Sequence, residues 1–172
     1  MRKIEIIGGP GAGKTTLATA MGEVLGLAVV HLDDLFWISQ DQVTARSECQ
    51  ARLDAVLQRE AYIIEGGHDW SFQQRAAACD TLIWLDIPPH IRAMNIVRRR
   101  LGKYTARHKH ATGIAAFQAA KPVFGHWHYF ALDWAETYSG RAFQRASTLQ
   151  NVQLIRLRSR AEVAGFLTSL RK

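Results

Sequence analysis

Short continuous runs of apolar residues alternate along this chain with longer stretches in which apolar residues recur at helical spacing. Ile4, Ile6 and Ile7 predict a strand over Lys3–Gly8. Lys14–Leu25 sets Leu17, Ala18, Met21 and Leu25 on one face of a helix, and Gly26 supplies its stop. The alternation goes on to predict strands at Ala28–Leu32, Ala61–Ile64, Thr81–Ile87 and Val152–Leu157. It predicts helices at Thr44–Arg59, with Leu53, Val56 and Leu57 inward, from Pro88 to about Leu101, and at Ala161–Leu170. Pro88 and Pro89 suit a first helical turn, where a backbone N–H has no intrahelical partner to lose. Strands that are apolar throughout are buried on both faces, as in a parallel sheet covered by helices. Repeated β-α units with right-handed crossovers then give an α/β fold of three layers.

One stretch breaks the rhythm. Gly102–Ala120 carries Lys103, Arg107, His108, Lys109 and His110 and few large apolar residues before Ile114. It reads as an exposed basic flap, a lid inserted at 102–120 into a single domain spanning 1–172. Phe124, Trp127, Tyr129, Phe130, Trp134 and Tyr138 follow as an aromatic helical region.

Composition narrows the class. With 172 residues and 48% hydrophobic content, the chain suits one globular domain with a proper core. Its longest apolar runs are far too short to span a bilayer. Met1-Arg2-Lys3 leads into a strand pattern and glycines, without the apolar core of a signal peptide, so the expected location is cytoplasmic. Cys49 and Cys79 match no metal spacing and read as reduced thiols. The net charge is +7, and 16 of the 22 cations are arginines. The guanidinium fork pairs bidentately with phosphate, so this excess suits anion binding, whether nucleotide or polynucleotide.

The nucleotide alternative gains from the loop between the first strand and the first helix. Gly8-Gly9-Pro10-Gly11-Ala12-Gly13-Lys14-Thr15 satisfies G-x-x-x-x-G-K-[ST] in the strand–loop–helix setting that this motif needs. Its glycines let successive N–H groups turn inward around an anion, and the helix adds its N-terminal dipole. Lys14 is expected on the β- and γ-phosphates, Thr15 on Mg²⁺ and Thr16 on the α-phosphate. No register gives the dinucleotide pattern G-x-G-x-x-G. There is no N/T-K-x-D segment to read guanine, and no strand ends in the Asp-Glu pair of motor ATPases. These absences leave a three-layer P-loop NTPase fold with a five-stranded parallel sheet, helices on both faces and a basic lid, serving a small-molecule kinase.

Further candidates sit at predicted strand ends, where ligands gather in such sheets. After the second strand, Asp33 either faces the γ-phosphate, accepting a proton or helping to hold Mg²⁺, or caps a following turn, and Asp34 shares that ambiguity. Phe36 and Trp37 line an acceptor pocket or join the core. Glu65, ending the third strand before Gly66-Gly67, is the candidate Mg²⁺ carboxylate. Asp86 reads as a cap for the next helix. That helix carries Arg92, Arg98, Arg99 and Arg100, a charge run that is either a solvated face or a clamp on transferring phosphate. Arg99 is the strongest choice, followed by Arg100 and Arg107. Arg141 and Arg145, four apart, would share a helical face and close on the phosphates.

The order P-loop, His31-Leu32-Asp33-Asp34-Leu35-Phe36-Trp37, Tyr62-Ile63-Ile64-Glu65-Gly66, Leu85-Asp86-Ile87-Pro88 and Arg98-Arg99-Arg100 resembles the adenylate-kinase-related topology modulation proteins of bacteria. The resemblance covers Met1 to about Leu101 and resumes at Val152–Leu170. It implies a nucleoside- or nucleotide-kinase fold with a hinged lid and ATP in the loop. Glu65 then stands where adenylate kinases place an Asp that acts on Mg²⁺, and Arg99 where a lid-hinge Arg contacts phosphates. Asn95 stands where an adenine-stacking Arg is common. Gly102-Lys103-Tyr104-Thr105-Ala106-Arg107 departs from the family's Gly-Lys-Thr-Arg-Pro-Asp, with Arg107 taking the family Arg's part after a shift.

The expected activity is therefore transfer of the γ-phosphoryl of ATP, with Mg²⁺, to a small-molecule acceptor. The expected partners are a nucleoside triphosphate and that acceptor, with no membrane, and the chain acts as a monomer or homodimer. Two alternatives stand beside it: a nucleotide-dependent nucleic-acid-binding protein related to DNA topology, and an ATPase switch without an acceptor.

Overall fold

The computed structural model describes residues 1–36, 44–67, 69–107, 140–149 and 151–171. Five strands, β1 (Lys3–Gly8), β2 (Val29–His31), β3 (Tyr62–Glu65), β4 (Thr81–Leu85) and β5 (Gln153–Leu157), form one sheet in the order β2-β3-β1-β4-β5. Every pairing is parallel. Helices α1 (Lys14–Leu25), α2 (Leu32–Phe36), α3 (Arg46–Leu57), α4 (Phe72–Ala78), α5 (Pro89–Arg107), α6 (Gly140–Ala146) and α7 (Arg160–Ser169) connect and cover it, with a 3-10 turn at Asp69–Ser71.

The strand period of two splits the core into layers. Ile4 and Ile6 of β1 face α1 through Leu17, Ala18 and Met21, with Val163, Phe166 and Leu167 of α7 packed alongside. Ile7 faces the other way, among Phe72, Ala76, Trp84, Ala142 and Ala146 of α4, β4 and α6. Leu53, Val56 and Leu57 of α3 complete that second face against Tyr62 and Ile64. The sheet thus carries helices on both faces, and the three central strands, apolar runs in the sequence, are buried along nearly their whole length. Cys49 and Cys79 are free and buried. No helix among the described residues is long and apolar enough to cross a membrane.

Three expectations need correction. The helix after β4 does not stop near Leu101; its backbone continues through Gly102 to Arg107. A mid-helix glycine costs only about 1 kcal/mol, and Lys103, Ala106 and Arg107 are good helix formers. The first six residues of the expected flap are therefore helical, while 108–120 and the aromatic stretch Phe124–Tyr138 lie outside the described residues. Asp86 does not cap α5; its Oδ2 accepts from Arg156 Nε (3.0 Å) and Nη2 (2.6 Å) of the neighbouring strand β5. Arg92 is not on a solvated face: it is buried, its Nε donates to Ile87 O at 3.0 Å, and its two terminal nitrogens have no hydrogen-bond partner among the described residues. Burial lowers its pKa, with Asp86 opposing.

Candidate active site

All five strands run the same way, so the loops that follow β1, β2, β3 and β5 open at one edge of the sheet. Between β1 and α1 the chain turns at Gly11 and Gly13, with φ of 78° and 97°, values that L side chains rarely adopt. A Cβ at Gly11 would also lie 2.3 Å from Arg92 O and 2.9 Å from Ile96 Cγ1, because the loop packs directly on α5. Ala12 N–H donates to Gly9 O at 3.1 Å and closes the turn. The Asn95 amide donates to Gly11 O at 2.9 Å, and Arg160, the first residue of α7, donates to Asn95 Oδ1. The loop is therefore tied through α5 to α7.

Gly13 caps α1 without a side-chain acceptor, so the first-turn N–H groups of α1 are left for another partner. They sit at the positive end of the helix dipole, which favours an anion. Lys14 Nζ donates to Gly8 O at 2.9 Å and Gly9 O at 3.4 Å, which holds the ammonium at the loop. Burial pushes the Lys14 pKa down, Glu65 and Asp33 push it up, and Arg92 and Arg99 push it down. A cation in that balance is short of solvent and gains from an anionic partner.

Opposite the loop stands Glu65, the last residue of β3, whose side chain is only 8% exposed. Its Oε1 accepts from Thr15 Oγ1 at 3.0 Å and lies 2.8 Å from His31 Nδ1. Asp33 lies in the first turn of α2, where a carboxylate also suits the helix dipole, so both sequence readings of Asp33 are compatible with its place.

These groups border one cavity of about 950 Å³. The loop residues Pro10 to Thr16, Asp33, Glu65, Gly66 and Gly67 line one part of it. Asn95, Arg98 and Arg99 of α5 line another, and Arg160, Val163, Ala164 and Leu167 of α7 a third. The sequence expectation for Lys14, Thr15, Thr16, Asp33, Glu65 and Arg99 thus corresponds to one shared space. Gly8 and Gly9 contribute the carbonyls that hold Lys14.

Other expected residues are elsewhere. Arg141 and Arg145 are exposed on α6, which packs against β4 and α4, and neither lines the cavity. Arg107 ends α5 eight residues beyond Arg99, about 12 Å farther along a helix rising 1.5 Å per residue. The side chains of Arg100 and Arg107, and residue Trp37, lie outside the described residues.

The spacing of residues missed three participants. His31 was seen only as part of a motif, yet it contacts Glu65. Asn95, noted in the sequence only as standing where an adenine-stacking Arg is common, donates to Gly11 O of the glycine loop. Arg160 follows the end of β5, the same strand-end signal that selected Asp33 and Glu65, and that rule would have found it.

No family model matches the chain, and no curated protein matches it in sequence. Among solved structures it is similar to a gluconokinase from Sinorhizobium meliloti 1021, at 12% identity over 99% of this chain and 93% of that one, with a TM-score of 0.49. It is also similar to a shikimate kinase from Bacteroides thetaiotaomicron, at 15% identity over 98% of this chain and 95% of that one, with a TM-score of 0.49. The α/β P-loop architecture itself stands on the strand order and loop geometry described above.

Proposed function

We propose that this protein is an ATP- and Mg²⁺-dependent phosphotransferase that moves the γ-phosphoryl of ATP to a small acceptor. The observation that carries the proposal is the meeting of the phosphate loop, Lys14, Asp33 and Glu65 around one cavity. A loop that only bound phosphate would not need two carboxylates beside it; a site that transfers phosphate uses them for a cation and for a proton.

The residues at the loop fit Mg²⁺. Their donors are oxygens, which this cation prefers, and Thr15 gives its proton to Glu65, so its hydroxyl lone pairs are free for a cation. Among the described residues no cluster of three His, Cys, Asp or Glu side chains could hold a metal. Mg²⁺ keeps several waters and shares its shell with substrate phosphates, so it needs few protein ligands. When bound, Mg²⁺ offsets charge on the phosphates.

Each residue then has a task. The loop amides and Lys14 hold the phosphates. Asp33 accepts the proton of the acceptor hydroxyl. Arg99, with Arg98 beside it, stabilises charge on the transferred group from α5. Val163, Ala164 and Leu167 offer an apolar wall to a base, and the planar guanidinium of Arg160 offers a stacking surface. The motif order shared with the adenylate-kinase-related topology modulation proteins supports a nucleoside or nucleotide as acceptor.

The test is an acceptor screen. Nucleosides, nucleotides and sugars are offered with ATP and Mg²⁺, ADP release is followed, and products are read by ³¹P NMR. At least one acceptor should raise ADP release above the intrinsic rate and appear phosphorylated. If none does, an ATPase without an acceptor replaces this reading.

A further inference from the structure

His31 ends β2 and stands directly beside Glu65 in the parallel register of β2 and β3. Paired residues on neighbouring strands project to the same face of a sheet, so the two side chains meet at its carboxyl edge. The contact is His31 Nδ1 to Glu65 Oε1 at 2.8 Å, and the same oxygen accepts the Thr15 hydroxyl at 3.0 Å. The tautomer of His31 that carries its proton on Nδ1 donates to this carboxylate oxygen. Two donors occupy the two lone pairs of Oε1. Glu65 Oε2 makes no hydrogen bond among the described residues, and the side chain lines the cavity.

This arrangement fixes a carboxylate that would otherwise turn about its last side-chain torsion, which is broad for glutamate. Thr15 alone would hold Glu65 weakly, because its hydroxyl must also serve the phosphate end of the site. His31 is different: it belongs to a strand, is one-third exposed, and faces Glu65 from outside the loop.

We infer that His31 is a positioning residue: its Nδ1–H holds Glu65 Oε1 so that Oε2 is presented to the cation-bearing side of the cavity. This inference rests on the Mg²⁺·ATP reading above. Residues that orient a metal-binding group by hydrogen bonding change metal affinity by about 10–100-fold when removed.

The experiment is a Mg²⁺ titration of ATP-dependent thermal stabilisation, with ATP plus chelator as the metal-free reference. It compares the unaltered protein, His31→Phe and His31→Asn. The Asn amide nitrogen can replace the Nδ1 donor, whereas Phe cannot. His31→Phe should raise the half-saturating Mg²⁺ concentration about tenfold, leave metal-free ATP stabilisation unchanged, and be largely rescued in His31→Asn. A purely structural role would lower the melting temperature of His31→Phe without moving the Mg²⁺ midpoint, and that result overturns the inference. A loss of ATP stabilisation in both metal-free and Mg²⁺ conditions also overturns it, because His31 would then act on the nucleotide itself. If the unaltered protein is stabilised by ATP but insensitive to Mg²⁺, the cation reading and this inference fall together. If it responds to Mg²⁺ and His31→Phe responds equally, only the inference falls.

Discussion

Two glutamates on adjacent strands of the sheet are both nearly sealed from solvent, yet they sit in opposite settings. Glu5 sits in the middle of β1 at 0% exposure, and Glu65 ends β3 at 6%. Glu5 points to the α4 face, where it pairs with the equally buried Arg75, whose Nε donates to Ser71 Oγ at 3.0 Å. Burial pushes the Glu5 pKa up to about 7, outweighing the pull of Arg75. Glu65 instead meets a hydroxyl of the phosphate loop and opens on the cavity. The acid whose pKa burial raises is the one locked in the core. A shifted titration marks burial; a position at the carboxyl edge of a parallel sheet, with a cavity before it, marks the site.

Three measurements press on that contrast. The largest stability effect belongs to Arg75→Met, which leaves Glu5 buried without its cation. Unfolding in urea should show a loss of about 3–5 kcal/mol, with most of it recovered when Glu5→Leu is added. ATP affinity of the folded variant should stay within twofold, and a larger change would mean that the buried pair reaches the site after all.

Next comes the pH profile. A carboxyl whose folded pKa is raised binds its proton more tightly in the native state than in the unfolded chain. Its contribution to stability is fully present below the ordinary value of 4.5 and is lost as pH rises through about 7. Tyr62 and Cys79, close to Glu5 on this face, are pushed by burial up to about 12 and stay neutral across that window. Urea midpoints should therefore fall as pH rises over this range, and Glu5→Gln should flatten the decline. An equally steep decline in Glu5→Gln would assign the slope to another group.

The smallest stability effect is expected for Glu65→Gln, which keeps an acceptor for Thr15 and His31 and should cost about 1 kcal/mol or less. Its effect belongs elsewhere: Mg²⁺-dependent ATP binding should weaken by about tenfold or more. Equal stability losses for Arg75→Met and Glu65→Gln would erase the distinction between the two acids.

The sequence disclosed those features whose signal is local. Runs such as Ile4–Ile7 and Leu82–Leu85 announce buried strands, and the Gly8–Thr15 spacing announces the glycine turn between β1 and α1. Features that depend on distant partners were hidden. Asp86 looks like a helix cap until Arg156, 70 positions later, is seen beside it. Helix α4 escaped because its buried face is Phe72, Arg75 and Ala76, and an arginine in that row breaks the apolar period. Arg75 is buried only because Glu5, also 70 positions away, waits for it. Arg160 stands just past the end of β5, where the strand-end rule points, but its contact with Asn95, 65 positions away, is hidden from the sequence.

The most direct test of the account is nucleotide-dependent stabilisation of Lys14→Ala. In the unaltered protein, ATP with Mg²⁺ at a hundredfold excess over its dissociation constant should add about 2.7 kcal/mol to unfolding stability. Lys14→Ala, folded but without the ammonium that Gly8 O and Gly9 O hold at the loop, should gain nothing measurable from the same nucleotide concentration. The same stabilisation in the variant would contradict the claim that this loop binds the phosphates.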